Sequence, residues 1–138
     1  MKIIAFLISL ITAFAVGTYV TRTSYCGAAC NRQIISVDVK EFQKQIAKDD
    51  IVIIDVRTPQ EYSSGHVPGS LNSNFNNNVE FNKFLDSLDK NGKYLIYCRS
   101  GNRSAQAMKI MEEKGFMEVT NLSGGVLSWQ AENLPLDQ

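Results

Sequence analysis

The stretch Tyr94-Leu95-Ile96-Tyr97-Cys98-Arg99-Ser100-Gly101-Asn102-Arg103-Ser104 decides the fold of this chain of 138 residues. Its first four residues are large and mostly apolar, which is typical of a short strand covered on both faces. The next seven residues are polar or small, and the apolar positions Ala105, Met108 and Met111 beyond them predict the buried face of a helix. A buried strand that leads through a short polar turn into a helix is a building unit of α/β proteins.

The same alternation continues on both sides of this unit. Residues 51–56 form a second run rich in β-branched residues, and a brief third strand is predicted around Val119. Apolar residues recur at helical spacing in three further places: Val39, Phe42 and Ile46; Phe81, Phe84, Leu85 and Leu88; and Val126 with Trp129. Strands separated by helices imply right-handed crossovers, so we expect a single α/β domain with a parallel β-sheet flanked by helices on both faces.

Local signals predict where these helices begin and end. Two pairs have the spacing of a capping box, namely Asp38 with Glu41 and Thr58 with Glu61, the second with Pro59 at the first helical position. Residues 63–70 are rich in turn formers, and residues 72–78 are predicted to be an asparagine-rich loop. The helix of residues 81–88 is expected to end near Asn91-Gly92.

The composition excludes several classes of protein. Hydrophobic residues make up 44% and charged residues 20% of the chain, which argues against a mostly disordered protein. The 14 basic and 14 acidic residues balance, so the basic excess of a nucleic-acid-binding protein is missing. No cofactor is expected, and no metal site, because the cysteines lack the histidine or second cysteine pair that zinc requires.

Residues 1–25 are expected to be a signal peptide or a membrane anchor. Lys2 supplies a positive start, and residues 3–20 carry no charge and would span roughly 27 Å as a helix. Ala13-Phe14-Ala15 fits a cleavage site, whereas continuation of the apolar run to Arg22 fits an uncleaved anchor with membrane attachment through residues 3–20. Both alternatives predict export to the periplasm or cell envelope.

The cysteines fall into two groups. Cys26 and Cys30 lie in a predicted linker, residues 26–33, where they would either pair in an oxidising compartment or be incidental thiols. Lipidation of Cys30 is a further alternative. Cys98 stands alone within the predicted domain, residues 34–136, and the odd total of three leaves at least one thiol unpaired in a monomer.

Cys98 is the candidate nucleophile. A loop that leads into a helix N-terminus points several backbone N–H groups into one concavity, which favours an anion. The helix dipole and the guanidinium groups of Arg99 and Arg103 favour a thiolate, and one or two units below the usual pKa of about 8.5 would ionise the thiol near neutral pH. The candidate anion-binding residues are Arg99, Ser100, Gly101, Asn102, Arg103 and Ser104.

Asp55 is expected to support the site rather than to react. It ends a buried strand, where a carboxylate needs a partner. We predict that Arg57 and Glu61 form a charge network with it.

Four motifs, taken in chain order, resemble those of the rhodanese-like domain, the thiosulfate sulfurtransferase family. They are Asp55-Val56-Arg57 with Glu61-Tyr62, then Gly65-His66-Val67-Pro68-Gly69-Ser70, then Cys98-Arg99-Ser100-Gly101-Asn102-Arg103, and finally Leu122-Ser123-Gly124-Gly125-Val126 through Trp129. Val67 and Ser70 depart mildly from the family's pattern. The resemblance covers residues 34–136 and leaves the N-terminal segment outside.

The resemblance implies a two-step sulfur transfer. The Cys98 thiolate would attack the outer sulfur of thiosulfate or a related small sulfur-containing anion, and a thiol or cyanide acceptor would then remove that sulfur from the Cys98 persulfide. Arg103 is the stronger choice for attracting the donor and Arg99 the weaker. His66, the single histidine, is a candidate general base, but the resemblance implies a structural role instead, because its turn is normally structural in the family.

Two alternatives belong to other classes. A Cys-based phosphatase also places a cysteine and an arginine around a helix N-terminus, but with five residues between them, whereas four separate Cys98 from Arg103. No motif identifies the aspartate that such a phosphatase uses as its general acid. A non-enzymatic sulfur carrier or protein-interaction module on the same fold stays open, because sequence alone does not specify turnover.

Overall fold

The computed structural model describes residues 31–138, so the predicted signal or anchor segment and Cys26 with Cys30 lie outside the described residues. Strands and helices alternate through the described part of the chain in the order β1 (Gln33–Val37), α1 (Val39–Ile46), β2 (Ile51–Asp55), α2 (Pro59–Ser63), β3 (Leu71–Asn72), α3 (Asn78–Asp86), β4 (Lys93–Tyr97), α4 (Asn102–Glu113), β5 (Glu118–Leu122) and α5 (Gly125–Ala131). Among residues 31–138, none of the helices is both long enough and apolar enough to span a bilayer.

The strands form one parallel sheet in the order β1-β5-β4-β2-β3. The central strand β4 pairs with β2, where Tyr97 lies opposite Asp55, and with β5, where Ile96 lies opposite Asn121. Because the strands are parallel, their carboxyl ends meet at the same edge of the sheet, where ligands bind in open α/β folds. The segment that follows β4 therefore starts at the centre of that edge.

Helices cover both faces of the sheet, each over its own hydrophobic cluster. One cluster joins α3 and α4 to the sheet through Phe81, Leu85, Ala107 and Met111. The other joins α1 and α5 through Phe42 and Trp129, whose rings meet edge to face with centroids 6.5 Å apart. The predicted single α/β domain, with a parallel sheet and helices on both faces, is confirmed.

Two strands were not predicted from the sequence. β1 is an edge strand whose residues are mostly exposed, so it lacks the continuous apolar run that marks a buried strand. β3 is two residues long and pairs with β2 through Leu71 and Asn72, at the start of what was predicted as an asparagine-rich loop. Neither strand has enough buried residues to produce a hydrophobic pattern.

The helix boundaries follow the capping signals in part. The capping box at Thr58 and Glu61 is complete, with each side chain bonded to the other residue's backbone N–H. Asp38 caps α1 by accepting the Glu41 N–H at 2.9 Å, but the Glu41 carboxylate contacts Lys44 instead of closing a box. α3 ends at Asp86, earlier than predicted, and a turn follows it.

Candidate active site

The loop between β4 and α4 encloses the sulfur of Cys98. Cys98 is 1% exposed, and its Sγ accepts the backbone N–H of Gly101 at 3.1 Å. The Ser104 hydroxyl, on the first turn of α4, lies 3.4 Å from the same sulfur and 3.2 Å from the Gly101 carbonyl oxygen. The sulfur therefore sits at the floor of the loop, surrounded by hydrogen-bond donors.

These donors decide the ionisation of Cys98. Burial raises the pKa of the thiol, but the Ser104 hydroxyl and the backbone N–H groups of Ser104, Gly101 and Ser100 lower it further than burial raises it. The net pKa is below the ordinary value of a cysteine. A lowered pKa of Cys98 was predicted from the helix dipole and the guanidinium groups of Arg99 and Arg103. The contribution of the Ser104 hydroxyl was not predicted from the sequence.

Gly101 gives the loop its shape. It is the N-cap of α4 and has a φ of 95°, which favours glycine. A Cβ at this position would lie 3.0 Å from the backbone nitrogen of Gly124 and 3.3 Å from the Leu122 carbonyl oxygen. Glycine is therefore favoured at this position both by the positive φ and by the close approach of the chain's own backbone.

The N-terminus of α5 supports the loop from behind. The Val126 N–H donates to the Cys98 carbonyl at 2.8 Å, and the Leu127 N–H donates to the Arg99 carbonyl at 3.1 Å. Gly125 makes this approach possible, because a Cβ there would overlap the Cys98 carbonyl oxygen and lie 2.6 Å from the Arg99 carbonyl carbon. The double glycine was recognised in the sequence as part of a motif, but its contact with the candidate nucleophile's own peptide group was not.

Arg103 forms a two-point ion pair with Glu61. Its Nη1 and Nη2 donate to the two carboxylate oxygens at 2.8 and 2.7 Å, joining the first turn of α4 to α2. The hydrogen bond from Arg103 lowers the pKa of Glu61 to about 2, and hydrogen bonds from Thr58 contribute to this shift. Burial acts in the opposite direction but is outweighed. The pKa of Arg103 is raised in turn, mainly by Glu61 and to a smaller extent by Cys98, while burial opposes the rise.

The prediction that Glu61 joins the network of Asp55 is wrong. The capping box fixes Glu61 at the start of α2, and from there its carboxylate reaches Arg103 across 42 positions of sequence. No local pattern could reveal this partner, because the contact depends on how α2 and α4 sit beside each other.

Asp55 and Arg57 do form the predicted pair. The Asp55 carboxylate is fully buried and accepts the Arg57 backbone N–H at 2.9 Å as well as its guanidinium Nε and Nη2, the latter at 2.6 Å. The same Nη2 donates to the Gly65 carbonyl at 2.8 Å. The pair therefore connects the end of β2 to the turn that contains His66. The Arg57 guanidinium also lies over the Tyr97 ring, with its central carbon 5.7 Å from the ring centroid.

His66 lies in the turn and bonds to its neighbours. Its ring stacks on Tyr62 with centroids 3.7 Å apart, and its Nδ1 lies 3.1 Å from the Tyr62 carbonyl oxygen. Its backbone exchanges two hydrogen bonds of 2.9 Å with Asp137, near the C-terminus. Among residues 31–138, no hydrogen bond joins His66 to Cys98.

The remaining loop residues differ in their surroundings. Ser100 and Asn102 have exposed side chains, and Asn102 contacts Gln106 on α4 at 3.4 Å. Arg99 is also exposed and borders a cavity of about 200 Å³ with Arg57, Glu61, Ser64, Gly65, Val126, Leu127 and Gln130.

Within the part of the chain that the structure describes, no cluster of three or more histidine, cysteine or acidic residues could hold a metal ion.

The fold and this loop place the chain among known proteins. The family model of the rhodanese-like domain matches residues 38–132, and the chain belongs to that family. The putative sulfurtransferase YtwF of Bacillus subtilis is 33% identical, with 75% of this chain and 95% of that protein covered. The crystal structure of SSP1007 from Staphylococcus saprophyticus superposes with a TM-score of 0.63 at 31% identity, covering 75% of this chain and 98% of that one.

A third relative is much longer than this chain. The tRNA uridine(34) hydroxylase of Pelagibacter ubique is 34% identical over 99 residues, which cover 72% of this chain and 33% of the hydroxylase. This chain therefore spans about a third of that relative.

Proposed function

We propose that this protein is a sulfurtransferase that moves sulfane sulfur from thiosulfate, or a related anionic donor, to a thiol or cyanide through a Cys98 persulfide. The observation that carries the proposal is the ring of donors around the Cys98 sulfur: the Gly101 N–H at 3.1 Å and the Ser104 hydroxyl at 3.4 Å. Membership of the rhodanese-like family and the similarity to a protein named a putative sulfurtransferase support it.

The first step is a displacement at sulfur. The Cys98 thiolate attacks the outer sulfur of thiosulfate, a bond forms between the two sulfur atoms, and the sulfur–sulfur bond of the donor breaks. Its electron pair leaves with sulfite, and the enzyme keeps one added sulfur as a persulfide anion, so no proton or external oxidant is required. This is covalent catalysis by an activated nucleophile, for which ping-pong kinetics are expected.

The loop stabilises the product of that step. The persulfide carries its negative charge on the outer sulfur, one bond further from the backbone than the original thiolate. Fixed N–H donors such as those of Gly101 and Ser104 already face this region and need no rearrangement as the charge moves. In the second step a thiol or cyanide attacks the outer sulfur, and Cys98 leaves readily because its pKa is below the ordinary cysteine value.

The geometry does not favour phosphate-ester hydrolysis. A phosphatase of the cysteine type has five residues between its cysteine and its loop arginine, whereas four separate Cys98 from Arg103, so the loop here is smaller. We therefore do not propose a phosphatase activity for this site.

The test is transfer by the wild-type protein and by Cys98→Ser. After exposure to thiosulfate, mass analysis should find one added sulfur on Cys98, and steady-state assays with cyanide should produce thiocyanate. Cys98→Ser should do neither, since a hydroxyl is not ionised at neutral pH, and the matched variant Ser100→Ala, at an exposed position, should retain the persulfide. If a Cys98 persulfide forms but thiocyanate does not, the protein is a sulfur carrier and not an enzyme. If no persulfide forms at Cys98, the proposal is overturned.

A further inference from the structure

The outer edge of β1 has no partner strand among residues 31–138. β1 is the first strand in the order of the sheet and pairs with β5 alone. The Gln33 N–H and the Val37 carbonyl both bond to residues that flank β5, at 2.8 Å, so they point inward. Because the backbone groups of successive residues point to opposite sides of a strand, those of Ile34 and Ser36 point outward.

The five residues of β1 lack the features that protect an exposed edge. Natural sheets protect such edges with charged side chains, proline or bulges. Gln33–Val37 contains no charge and no proline, and its register with β5 is continuous. The large apolar side chain of Ile35 is 42% exposed, and α1, which follows β1, turns inward to pack against β2, β4 and β5. The edge therefore has the character of a strand that accepts another strand.

Two opposite charges flank this edge symmetrically. Arg32 lies three residues before Ile35, and Asp38 lies three residues after it. Both residues are exposed, and neither takes part in a salt bridge among residues 31–138. The backbone of Asp38 is still extended, with φ −76° and ψ 174°. One oxygen of its carboxylate caps α1, which leaves the other oxygen for a further partner.

We propose that β1 pairs with β1 of a second copy of this chain, antiparallel and centred on Ile35, so that the dimer has one continuous sheet. In this register Ile34 lies opposite Ser36 of the second copy and exchanges hydrogen bonds with it, as the outward direction of their backbone groups requires. The two Ile35 side chains lie opposite each other in a pair without hydrogen bonds, where side chains are closest. Arg32 of each copy lies opposite Asp38 of the other, which gives two ion pairs.

The charges select a second copy and this register. Pairing centred one residue later, on Ser36, would place Arg32 opposite Lys40 and Ile34 opposite Asp38, and like charges opposite each other are destabilising. The assembly also stops at two copies. The edges that remain are the two β3 strands, each two residues long, and such short edges resist further pairing.

The test is the dimer dissociation constant of the full-length chain in mild detergent, measured by sedimentation up to about 1 mM because a single strand pair is a small interface. Arg32→Asp and Asp38→Arg should each weaken dimerisation at least about tenfold, since each places like charges opposite each other twice. An equimolar mixture of the two variants should recover dimerisation, because both flanking pairs of the mixed dimer are again opposite in charge. Lys48→Asp, which makes the same charge change at an exposed position beyond α1, should leave the constant within about twofold of wild type.

Asp38→Arg also removes the N-cap of α1, so a second variant separates the ion pair from the cap. Asp38→Asn keeps a side chain that can cap the helix and removes the negative charge. It should fold as the wild type does and weaken dimerisation about threefold, and the wild-type dimer should weaken similarly at high salt.

A disulfide provides a measurement that does not depend on charge. Ile35→Cys places the two introduced thiols in a pair whose Cα atoms lie about 4.5 Å apart, within the range that a disulfide bridges. After mild oxidation, peptide mapping should find the two introduced cysteines joined to each other. Gln33→Cys is the matched control, because in this register it lies opposite Val37 and about 13 Å from its own counterpart, so it should not cross-link.

Three results would overturn the inference. They are a monomer at every concentration, a dimer that Arg32→Asp and Asp38→Asn leave unchanged, and equal cross-linking of Ile35→Cys and Gln33→Cys. None of these measurements depends on sulfur transfer, so the proposed function is tested separately.

Discussion

Removing the Ser104 hydroxyl is the most direct perturbation of the candidate nucleophile. Ser104 is fully buried, and its hydroxyl lies 3.4 Å from the Cys98 sulfur and 3.2 Å from the Gly101 carbonyl oxygen. A hydrogen bond to a charged group contributes about 1.5–3 kcal/mol, and this one lies near the lower end because the Gly101 carbonyl competes for the single hydroxyl proton. Because one pKa unit corresponds to about 1.4 kcal/mol, Ser104→Ala should raise the pKa of Cys98 by roughly one unit.

The sign follows from which form the hydroxyl stabilises. It donates to the thiolate, so its loss disfavours the charged form and moves the titration to higher pH. The Gly101 N–H, at 3.1 Å, remains in the variant and should keep the shift from becoming larger. At a pH below both pKa values the thiolate fraction, and with it the rate of persulfide formation, should fall about tenfold.

The measurement is the pH profile of Cys98 alkylation by iodoacetamide, checked against the ultraviolet absorbance of the thiolate. Ser100→Ala is the matched control, because it makes the same chemical change in the same loop at an exposed side chain. Its backbone N–H near the sulfur is unchanged. Identical alkylation profiles for Ser104→Ala, Ser100→Ala and the wild type would refute the argument that the Ser104 hydroxyl stabilises the thiolate.

Three further predictions follow from other contacts and from the sequence. Glu61→Gln should lower the free energy of unfolding by about 1 kcal/mol at pH 7, measured by urea unfolding. This difference from wild type should shrink as the pH falls from 4.5 toward about 2, because the Glu61 carboxylate stabilises the fold only while it is ionised. Gly125→Ala should destabilise by more than about 2 kcal/mol, since its Cβ meets the Cys98 carbonyl, whereas Gly115→Ala, with a φ of 89° but open space, should cost about 1 kcal/mol. Residues 3–20 should direct export to the periplasm or cell envelope, so protease should reach the domain once any outer membrane is permeabilised while the inner membrane stays closed. A protein retained in the cytoplasm with Met1 intact would contradict this.

The sequence predicted those elements whose signals are local. Residues 51–54 of β2 and residues 94–97 of β4 are unbroken runs of large, mostly apolar side chains, and the capping box at Thr58 and Glu61 marks the first turn of α2. The sequence also predicts the position of Cys98 between β4 and α4, because an apolar run, a polar turn and apolar residues at helical spacing follow one another directly. Contacts between distant elements carried no such signal. The sequence therefore predicts that Glu61 joins a network with the nearby Asp55 and Arg57, whereas its partner is Arg103 on α4.

The difference between local signals and distant contacts also explains why only part of the stabilisation of the Cys98 thiolate could be predicted from the sequence. A helix N-terminus is visible in the sequence, but the orientation of the peptide groups before it is not. In a trans peptide the carbonyl of one residue and the N–H of the next point in opposite directions. α5 holds the carbonyls of Cys98 and Arg99 on one side, through Val126 and Leu127, so the N–H groups of Arg99 and Ser100 are turned to the other.

That other side is the side of the sulfur, since the Ser100 N–H is one of the groups that lower the pKa of Cys98. The anion-binding character of the loop thus depends on α5 as much as on α4. Gly125 is the residue that lets α5 come close enough, because any Cβ there would collide with the Cys98 carbonyl. A glycine nearly thirty positions beyond the nucleophile therefore helps to set the ionisation of the nucleophile, through two backbone hydrogen bonds and without touching the sulfur.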